Sequence, residues 1–373
     1  TFDSRSERLL GLQINAGKLS ALLNPLTLII INAAVIILLQ SGAIRVNSGS
    51  LTQGQVVALY NLMAQILVEL IKMANLFITI TKSLACADRV AAVMQLDSGA
   101  NGGNKLPANG SPCGSVEFKN VSFEYKNAGA EALFDISFFA KPGQTVGVIG
   151  GTGSGKSTLV NLVPNFYSAT KGQVLIDGVN ADEYDRAALL SAVSVVPQKA
   201  VLFEGTIRSN LLMGNPNASE AELFSALETA QAAEIVRTKP HGIDEPVLRG
   251  GSNFSGGQKQ RLSIARALVH GGRILILDDS ASALDFATDA KLRAAIRKLS
   301  PAPTTFIVSQ RAASVMFADF IIVLDEGRAV GRGTHEELLR NCAVYREIYA
   351  SQFPDEAAKL SIPNNTPEGD AAK

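Results

Sequence analysis

The sequence contains no tryptophan and no excess of either charge, with 34 basic and 34 acidic residues among 373. Nucleic-acid-binding proteins usually carry a basic excess, so we predict no nucleic-acid partner. Cys86, Cys113 and Cys342 are too far apart for a metal-ligand motif. We interpret them as free thiols in a reducing compartment. The first residues do not resemble a signal peptide.

Charged residues are missing altogether from Leu19 to Ile44, and the mean hydropathy of the chain is positive. As a helix, a run of this length crosses a bilayer core of about 30 Å. The alternative is a buried helix of a soluble domain, but such helices are rarely apolar on all sides. A second helical stretch, Val56 to Leu96, follows a polar turn. We therefore predict that residues 1–96 are part of a transmembrane domain, with helices at about residues 19–44 and 56–96.

Charges near these helices indicate orientation and contacts. Arg45 closely follows the first helix, and three basic residues precede it: Arg5, Arg8 and Lys18. This excess favours a cytoplasmic N-terminal side. Within the second helix, Glu69 and Lys72 lie on one face and predict contact with protein or a water-filled cavity. They fit either a substrate-path or gating contact or a structural pair near the inner interface.

Composition also divides the rest of the chain. Residues 97–114 are dense in Gly, Asn, Ser and Pro, which is typical of a linker. We predict a second domain at residues 115–350. The polar residues 351–373 predict a disordered tail.

A glycine-rich segment follows the short apolar run Gln144–Ile149, which predicts a buried strand. The segment matches the phosphate-binding pattern G-x-x-x-x-G-K-[ST] and precedes a predicted helix at residues 158–166. Glycines allow backbone N–H groups to approach phosphate oxygens. In this pattern Lys156 binds the β- and γ-phosphates of ATP and Ser157 ligates Mg²⁺. The predicted nucleotide-binding residues here are Gly150, Gly151, Thr152, Gly153, Ser154, Gly155, Lys156, Ser157 and Thr158.

A second apolar run, in the segment Arg273–Asp279 (RILILDD), ends in two carboxylates. A carboxylate at the end of such a strand completes the Mg²⁺ shell in P-loop proteins. We assign that role to Asp278. Lys156, Gln198, Asp278 and Gln310 all follow apolar strands, where an open α/β sheet binds its ligands.

Between these motifs, Asn253–Arg261 (NFSGGQKQR) opens a helix with apolar residues at helical spacing. This segment resembles the signature motif of ABC ATPases, and the helix N-terminus is suited to bind an anion. The resemblance implies an α/β P-loop ATPase domain, a mixed sheet with a helical subdomain, after a pair of transmembrane helices. In the family the signature contacts the γ-phosphate of ATP held by the other ATPase domain. The residues concerned are Ser255, Gly256, Gly257 and Gln258.

The resemblance extends to three more positions. It implies that Tyr125 stacks on adenine and that Gln198, after the strand Val193–Val196, contacts Mg²⁺ and faces the membrane domain. It also implies that Asp285, in the Ser282–Asp285 segment, belongs to the nucleotide site. The implied Mg²⁺ ligands are therefore Ser157, Gln198 and Asp278.

Two positions depart from the family pattern. The residue after the Mg²⁺ carboxylate is normally Glu, which polarises the attacking water, and here it is Asp279. The switch position is normally His, and here it is Gln310. Aspartate is one methylene shorter, and glutamine cannot carry a positive charge. With Gln198, these residues form the predicted catalytic set, and we predict weak hydrolysis at this chain's own site.

The resemblance implies half of an ABC exporter, an ATP hydrolase coupled to transport, with its ATPase domain in the cytoplasm of a bacterial cell and its helices in the plasma membrane. Asp279 and Gln310 alter this chain's own hydrolytic site, whereas the signature that serves the partner's ATP is intact. This asymmetry favours a heterodimer with a second half-transporter, although a homodimer with two altered sites remains open. The exported substrate is not identified by the sequence. Two other classes compete with this interpretation. The first is a soluble ABC ATPase of DNA repair or translation, which the uncharged run Leu19–Ile44 disfavours. The second is a nucleotide-gated channel or regulator, which Asp279 and Gln310 leave open.

Overall fold

A computed structural model describes residues 2–95, 103–107, 114–126, 128–280 and 282–355. The chain divides into two compact units, Thr1–Ser98 and Gly99–Lys373. Cys86 is exposed, Cys342 is buried, and both are free thiols. Cys113, most of the predicted linker and residues 356–373 of the predicted tail lie outside the described residues.

The first unit consists of two long helices, α1 (Phe2–Asn47) and α2 (Gln53–Met94). Both contain a segment long and apolar enough to cross a membrane, Pro25–Asn47 in α1 and all of α2. α1 begins well before the predicted residue 19, because hydropathy marks the apolar span and not the helix end. α2 begins before residue 56, since Thr52 and Gln55 form a capping box.

Gly42 of α1 and Val56 of α2 approach closely at the connected ends of the two helices. A Cβ atom on Gly42 would lie 2.7 Å from Cγ1 of Val56, so only glycine allows this approach. Farther along α2, Lys72 Nζ lies 2.7 Å from Glu69 Oε1, and both side chains are exposed in this chain. The two charges therefore pair with each other on one face of the helix, as their spacing predicts.

The second unit is built on a ten-stranded mixed sheet with the order β5-β4-β1-β2-β12-β11-β3-β10-β9-β6, and β7 pairs with β8 separately. The strands are β1 (Val116–Glu124), β2 (Glu131–Ala140), β3 (Thr145–Gly150), β4 (Lys171–Ile176), β5 (Val179–Asn180), β6 (Val193–Val196), β7 (Gly205–Thr206), β8 (Pro246–Val247), β9 (Ile274–Asp278), β10 (Thr304–Ser309), β11 (Phe320–Asp325) and β12 (Arg328–Gly333). β6, β9, β10, β3 and β11 are mutually parallel, so their carboxyl ends lie at one edge.

Ten helices accompany these strands in the described part of this unit. They are α3 (Lys156–Asn161), α4 (Arg186–Ala192), α5 (Ile207–Leu212), α6 (Glu220–Thr229), α7 (Ala233–Arg237), α8 (Gly256–His270), α9 (Phe286–Arg297), α10 (Ala312–Val315), α11 (His335–Asn341) and α12 (Ala343–Gln352). Short 3₁₀ turns occupy Gly242–Asp244 and Arg249–Gly251. α5 to α8 lie between Ile207 and His270 and form the helical subdomain that the resemblance implies.

Helix α3 is shorter than the predicted span of residues 158–166. Pro164 lacks a backbone N–H, and its ring disfavours helical geometry at the residue before it. Asn165 then adopts a left-handed conformation with φ of 53°. The helix therefore stops at Asn161, about one turn after Ser157, the last residue of the phosphate-binding pattern.

The parallel strands are the centre of the core because both of their faces are covered. β3, β9 and β10 are buried at every position. One hydrophobic cluster combines the sheet with the helical segment, and the other covers the strands β1, β2 and β4. This packing fixes the position of the sheet edge formed by the carboxyl ends of the parallel strands, where the polar residues of the predicted site follow.

Candidate functional site

The loop between β3 and α3 contains the phosphate-binding pattern. Gly153 and Gly155 adopt positive φ values of 80° and 94°, in the region that favours glycine. A Cβ atom on Gly155 would lie 2.9 Å from the carbonyl oxygen of Ala132. The loop therefore requires glycine here, for conformation and for space.

Lys156 lies at the start of α3 and is only 8% exposed. Its Nζ donates hydrogen bonds to the carbonyl oxygens of Gly150, at 2.9 Å, and Gly151, at 2.5 Å. Burial lowers the pKa of Lys156, although Asp279 and Asp278 nearby act to raise it. A buried cation whose partners in its own loop are neutral carbonyl and hydroxyl oxygens is suited to receive an anion.

Ser157 and Asp278 meet across the same cleft. Ser157 Oγ donates to Asp278 Oδ1 at 3.0 Å, which joins the helix start to the end of β9. Desolvation raises the pKa of Asp278, and the charge of Asp279 adds to the effect. A hydroxyl beside a carboxylate is the oxygen donor set that Mg²⁺ takes in nucleotide sites, where water and phosphates complete the shell. The two residues therefore fit the ion.

The three predicted catalytic residues surround this pair. Gln198 Nε2 donates to Asp279 Oδ2 at 3.1 Å, so the carboxylate has a protein partner. Asp279 has a positive φ of 43°, which aspartate tolerates better than most residues. Thr152 Oγ1 lies 3.5 Å from Gln310 Oε1 and connects the switch position to the phosphate-binding loop.

Tyr125 lies beside α3. Its hydroxyl forms a hydrogen bond with Thr158 Oγ1 at 3.0 Å, and its ring makes edge contacts with Phe123 and Tyr167. The hydroxyl contact ties the ring to the end of the phosphate-binding pattern. This placement suits an aromatic platform for a base.

These residues line one cleft of about 540 Å³, within the range of small-molecule sites. Sequence reasoning missed five of its lining residues: Glu131, Ala132, Val308, Glu326 and Gly327. Glu326 and Gly327 form the turn of the β11–β12 hairpin, with φ values of 43° and 76°. Positive φ at both residues is typical of a two-residue hairpin turn, but Glu-Gly is not one of its usual sequence signals. The pairing of β12 with β2 places this turn at the cleft.

The signature residues lie elsewhere. Ser255 caps α8, accepts from Gln258 N at 3.3 Å, and receives the Gln258 side chain on its own N–H in a capping box. Ser255 and Gly256 are exposed. None of the four signature residues is among the described residues that line the cleft.

Asp285 is also outside the cleft. It caps α9, and its carboxylate accepts from the backbone N and the hydroxyl of Thr288, both at 2.8 Å. The backbone N–H lowers the pKa of Asp285, and the hydroxyl adds to the effect. In this chain by itself the residue therefore has a structural role at a helix start.

Comparisons with known proteins agree with this geometry. Residues 133–282 match the family model described as ABC transporter. The chain is similar to an uncharacterised ABC transporter ATP-binding protein of Mycobacterium tuberculosis H37Rv, with 40% identity over 91% of the chain and 59% of the relative. It is 34% identical to the ATP-dependent lipid A-core flippase of Burkholderia orbicola, over 96% of the chain and 60% of the flippase.

The chain is also similar to a solved structure. A bacterial Atm1-family ABC exporter with ATP bound superposes with a TM-score of 0.75 and 32% identity, over 89% of this chain and 58% of the exporter. The chain spans about three fifths of the length of these relatives.

Proposed function

We propose that the chain is part of one half of an ATP-driven exporter, because residues 133–282 match the ABC transporter family model and one similar solved structure is an ABC exporter. Helices α1 and α2 cross the membrane, and residues 115–350 form the ATPase domain on its cytoplasmic side. The observation that carries the proposal is the single cleft in which Lys156 lies beside the Ser157–Asp278 pair.

In this cleft the chain binds Mg–ATP. Tyr125 supports the adenine ring, the loop and Lys156 hold the phosphates, and Mg²⁺ is held by Ser157, Asp278 and Gln198. When bound, Mg²⁺ neutralises charge on the phosphates. The buried ammonium of Lys156 exchanges its loop carbonyls for phosphate oxygens, which are stronger partners for a cation.

Hydrolysis at this cleft is weak in the proposed function. Asp279 has one methylene less than Glu, and Gln198 already donates to its carboxylate. Both features reduce its capacity to take a proton from water, since a general base must lie within hydrogen-bond reach. Gln310 can donate a hydrogen bond to a γ-phosphate but remains neutral.

The partner in this proposal is a second half-transporter. The exposed signature residues lie outside the chain's own cleft, which supports contact with a nucleotide held by another ATPase domain. The proposed dimer is a heterodimer, because Asp279 and Gln310 weaken this chain's own site and a different partner chain then provides the strongly hydrolytic site. A homodimer would instead contain Asp279 and Gln310 in both of its sites.

A nucleotide-gated channel or regulator is the second candidate. The Gln198–Asp279 hydrogen bond favours it, since a site that binds ATP with little hydrolysis suits gating. Reconstituted protein that conducts ion currents without ATP-dependent transport would support this candidate over the exporter.

The experiment that tests the proposed dimer measures ATPase activity of the chain with its co-purified partner half-transporter. Gly257→Asp places a carboxylate at the signature, where an added Cβ atom would lie 3.0 Å from the carbonyl oxygen of Ala283. We expect it to reduce turnover by about 100-fold or more, the effect of losing one oxyanion-binding donor. Asp279→Ala should reduce turnover by less than about threefold, because in this proposal Asp279 already serves the weakly hydrolytic site. The reverse order would show that this chain contains the strong site.

A further inference from the structure

The last residue of α12 contacts the segment that follows β10. Gln352 Nε2 donates to the carbonyl oxygen of Gln310 at 2.8 Å. Its Oε1 accepts from the backbone N of Ala312, also at 2.8 Å. One side-chain amide therefore pairs with a carbonyl and an N–H two residues apart, as a neighbouring strand would.

The backbone at this position needs such a partner. α10 begins at Ala312, and Arg311, at its N-cap, provides no side-chain hydrogen bond. The first N–H groups of a helix have no partner within the helix. Gln352 supplies an acceptor for one of them and at the same time fixes the peptide that carries Gln310.

The helix that carries Gln352 is packed into the core. α12 packs against β3, β11 and α10, and its residues Tyr345 and Tyr349 are buried. His335 Nδ1 and the hydroxyl of Tyr345 are 2.8 Å apart, which ties α12 to the start of α11. Gln352 thus connects a helix of the core to a residue in the wall of the cleft.

We propose that Gln352 is a positioning residue that holds Gln310 against the phosphate-binding loop, so that the site distinguishes a nucleoside triphosphate from a diphosphate. The inference rests on the proposed ATP site. The contact of Gln310 with Thr152 places its side chain at the loop, and its orientation depends on the peptide that Gln352 holds. Loss of Gln352 should weaken contact with the terminal phosphate and leave the contacts of the other phosphates intact.

Two variants separate the two hydrogen bonds. Gln352→Met keeps the length of the side chain and removes both bonds. Gln352→Glu keeps an acceptor for the Ala312 N–H but has no donor for the Gln310 carbonyl when ionised. Ser351→Ala is the matched control, because among the described residues this neighbouring side chain donates to the carbonyl oxygen of Ile348, in its own helix, and to no other group.

The test measures the affinity of the full chain for Mg–AMP-PNP and Mg–ADP by calorimetry. Gln352→Met and Gln352→Glu should each bind AMP-PNP about fivefold more weakly, the effect of one hydrogen bond, with ADP affinity unchanged. Amide exchange at Ala312 should accelerate in the methionine variant and stay protected in the glutamate variant.

Three results would overturn the inference. They are an unchanged AMP-PNP to ADP affinity ratio in both variants, an equal loss of both nucleotides, or the same ratio change in Ser351→Ala. If the unmodified chain binds neither nucleotide, the proposed ATP site itself is wrong. If the unmodified chain binds both nucleotides and the AMP-PNP to ADP affinity ratio does not change in the Gln352 variants, the proposed ATP site is retained and the role of Gln352 is refuted.

Discussion

Replacing Lys156 by methionine tests the phosphate-binding site with little change in shape. Methionine keeps an unbranched stem and removes the ammonium group. Lys156 is 8% exposed, so its Nζ acts in a desolvated position. A charge-assisted hydrogen bond there contributes about 1.5–3 kcal/mol, which corresponds to a loss of about 10- to 150-fold in nucleotide affinity.

The pH dependence of binding gives a second readout for the same variant. Burial lowers the pKa of Lys156 below its ordinary value of 10.5 in the nucleotide-free protein. Only the protonated amine attracts phosphate, so affinity should fall as the pH rises through this lowered pKa. Lys156→Met has no such group, and its weaker affinity should lack this alkaline loss.

The assay is a fluorescence titration with an ATP analogue that carries a fluorescent ribose group. Lys291→Met is the matched control, because Lys291 is exposed on α9 and does not line the cleft. Unchanged affinity in Lys156→Met, or an equal loss in Lys291→Met, would refute the assignment of the loop as a phosphate site.

Two further predictions concern the other parts of the cleft. Tyr125→Ala should weaken ATP binding about 5- to 150-fold if the ring stacks on the base. The ATP affinity of Tyr125→Phe, which keeps the ring, should stay within about threefold of the unmodified chain. Equal losses of affinity in a titration of the two variants would indicate that the hydroxyl contact with Thr158 matters instead. Asp278→Asn should abolish the Mg²⁺ dependence of binding and raise the melting temperature without nucleotide, by about 2–4 °C per kcal/mol. Desolvation raises the pKa of Asp278 above its ordinary 3.8, so the folded state disfavours the charged form. The gain in melting temperature should therefore be full at neutral pH and disappear as the pH falls through the raised pKa of Asp278. Calorimetry at several pH values measures this gain.

The sequence predicts the fold class well because its strongest signals are local. The uncharged run in α1 and the apolar strands β3, β6, β9 and β10 can be read without knowledge of the pairing. The predicted class, an α/β P-loop domain with a mixed sheet and a helical segment after apolar helices, is confirmed by the fold and the comparisons. Helix ends are less predictable, since Pro164 and the Thr52 capping box act within single turns.

Contacts between distant parts of the chain could not be predicted. Glu326 reaches the cleft through the pairing of β12 with β2, and Gln352 reaches Gln310 through the packing of α12. Neither residue belongs to a motif, and each is brought to the site only by tertiary structure. The roles assigned to the motif residues remain predictions that the variants above can test.

The capping box at Ser255 has a consequence for assembly. Its hydroxyl oxygen accepts from Gln258 N, and Gln258 Oε1 accepts from Ser255 N at 3.0 Å, so contacts within the chain itself order the start of α8. Association that must first order a segment loses conformational entropy and part of its binding free energy. In the proposed dimer this surface avoids that loss. Because α8 needs no folding step, the tendency of the two ATPase domains to associate around bound ATP then depends on the charge of the nucleotide.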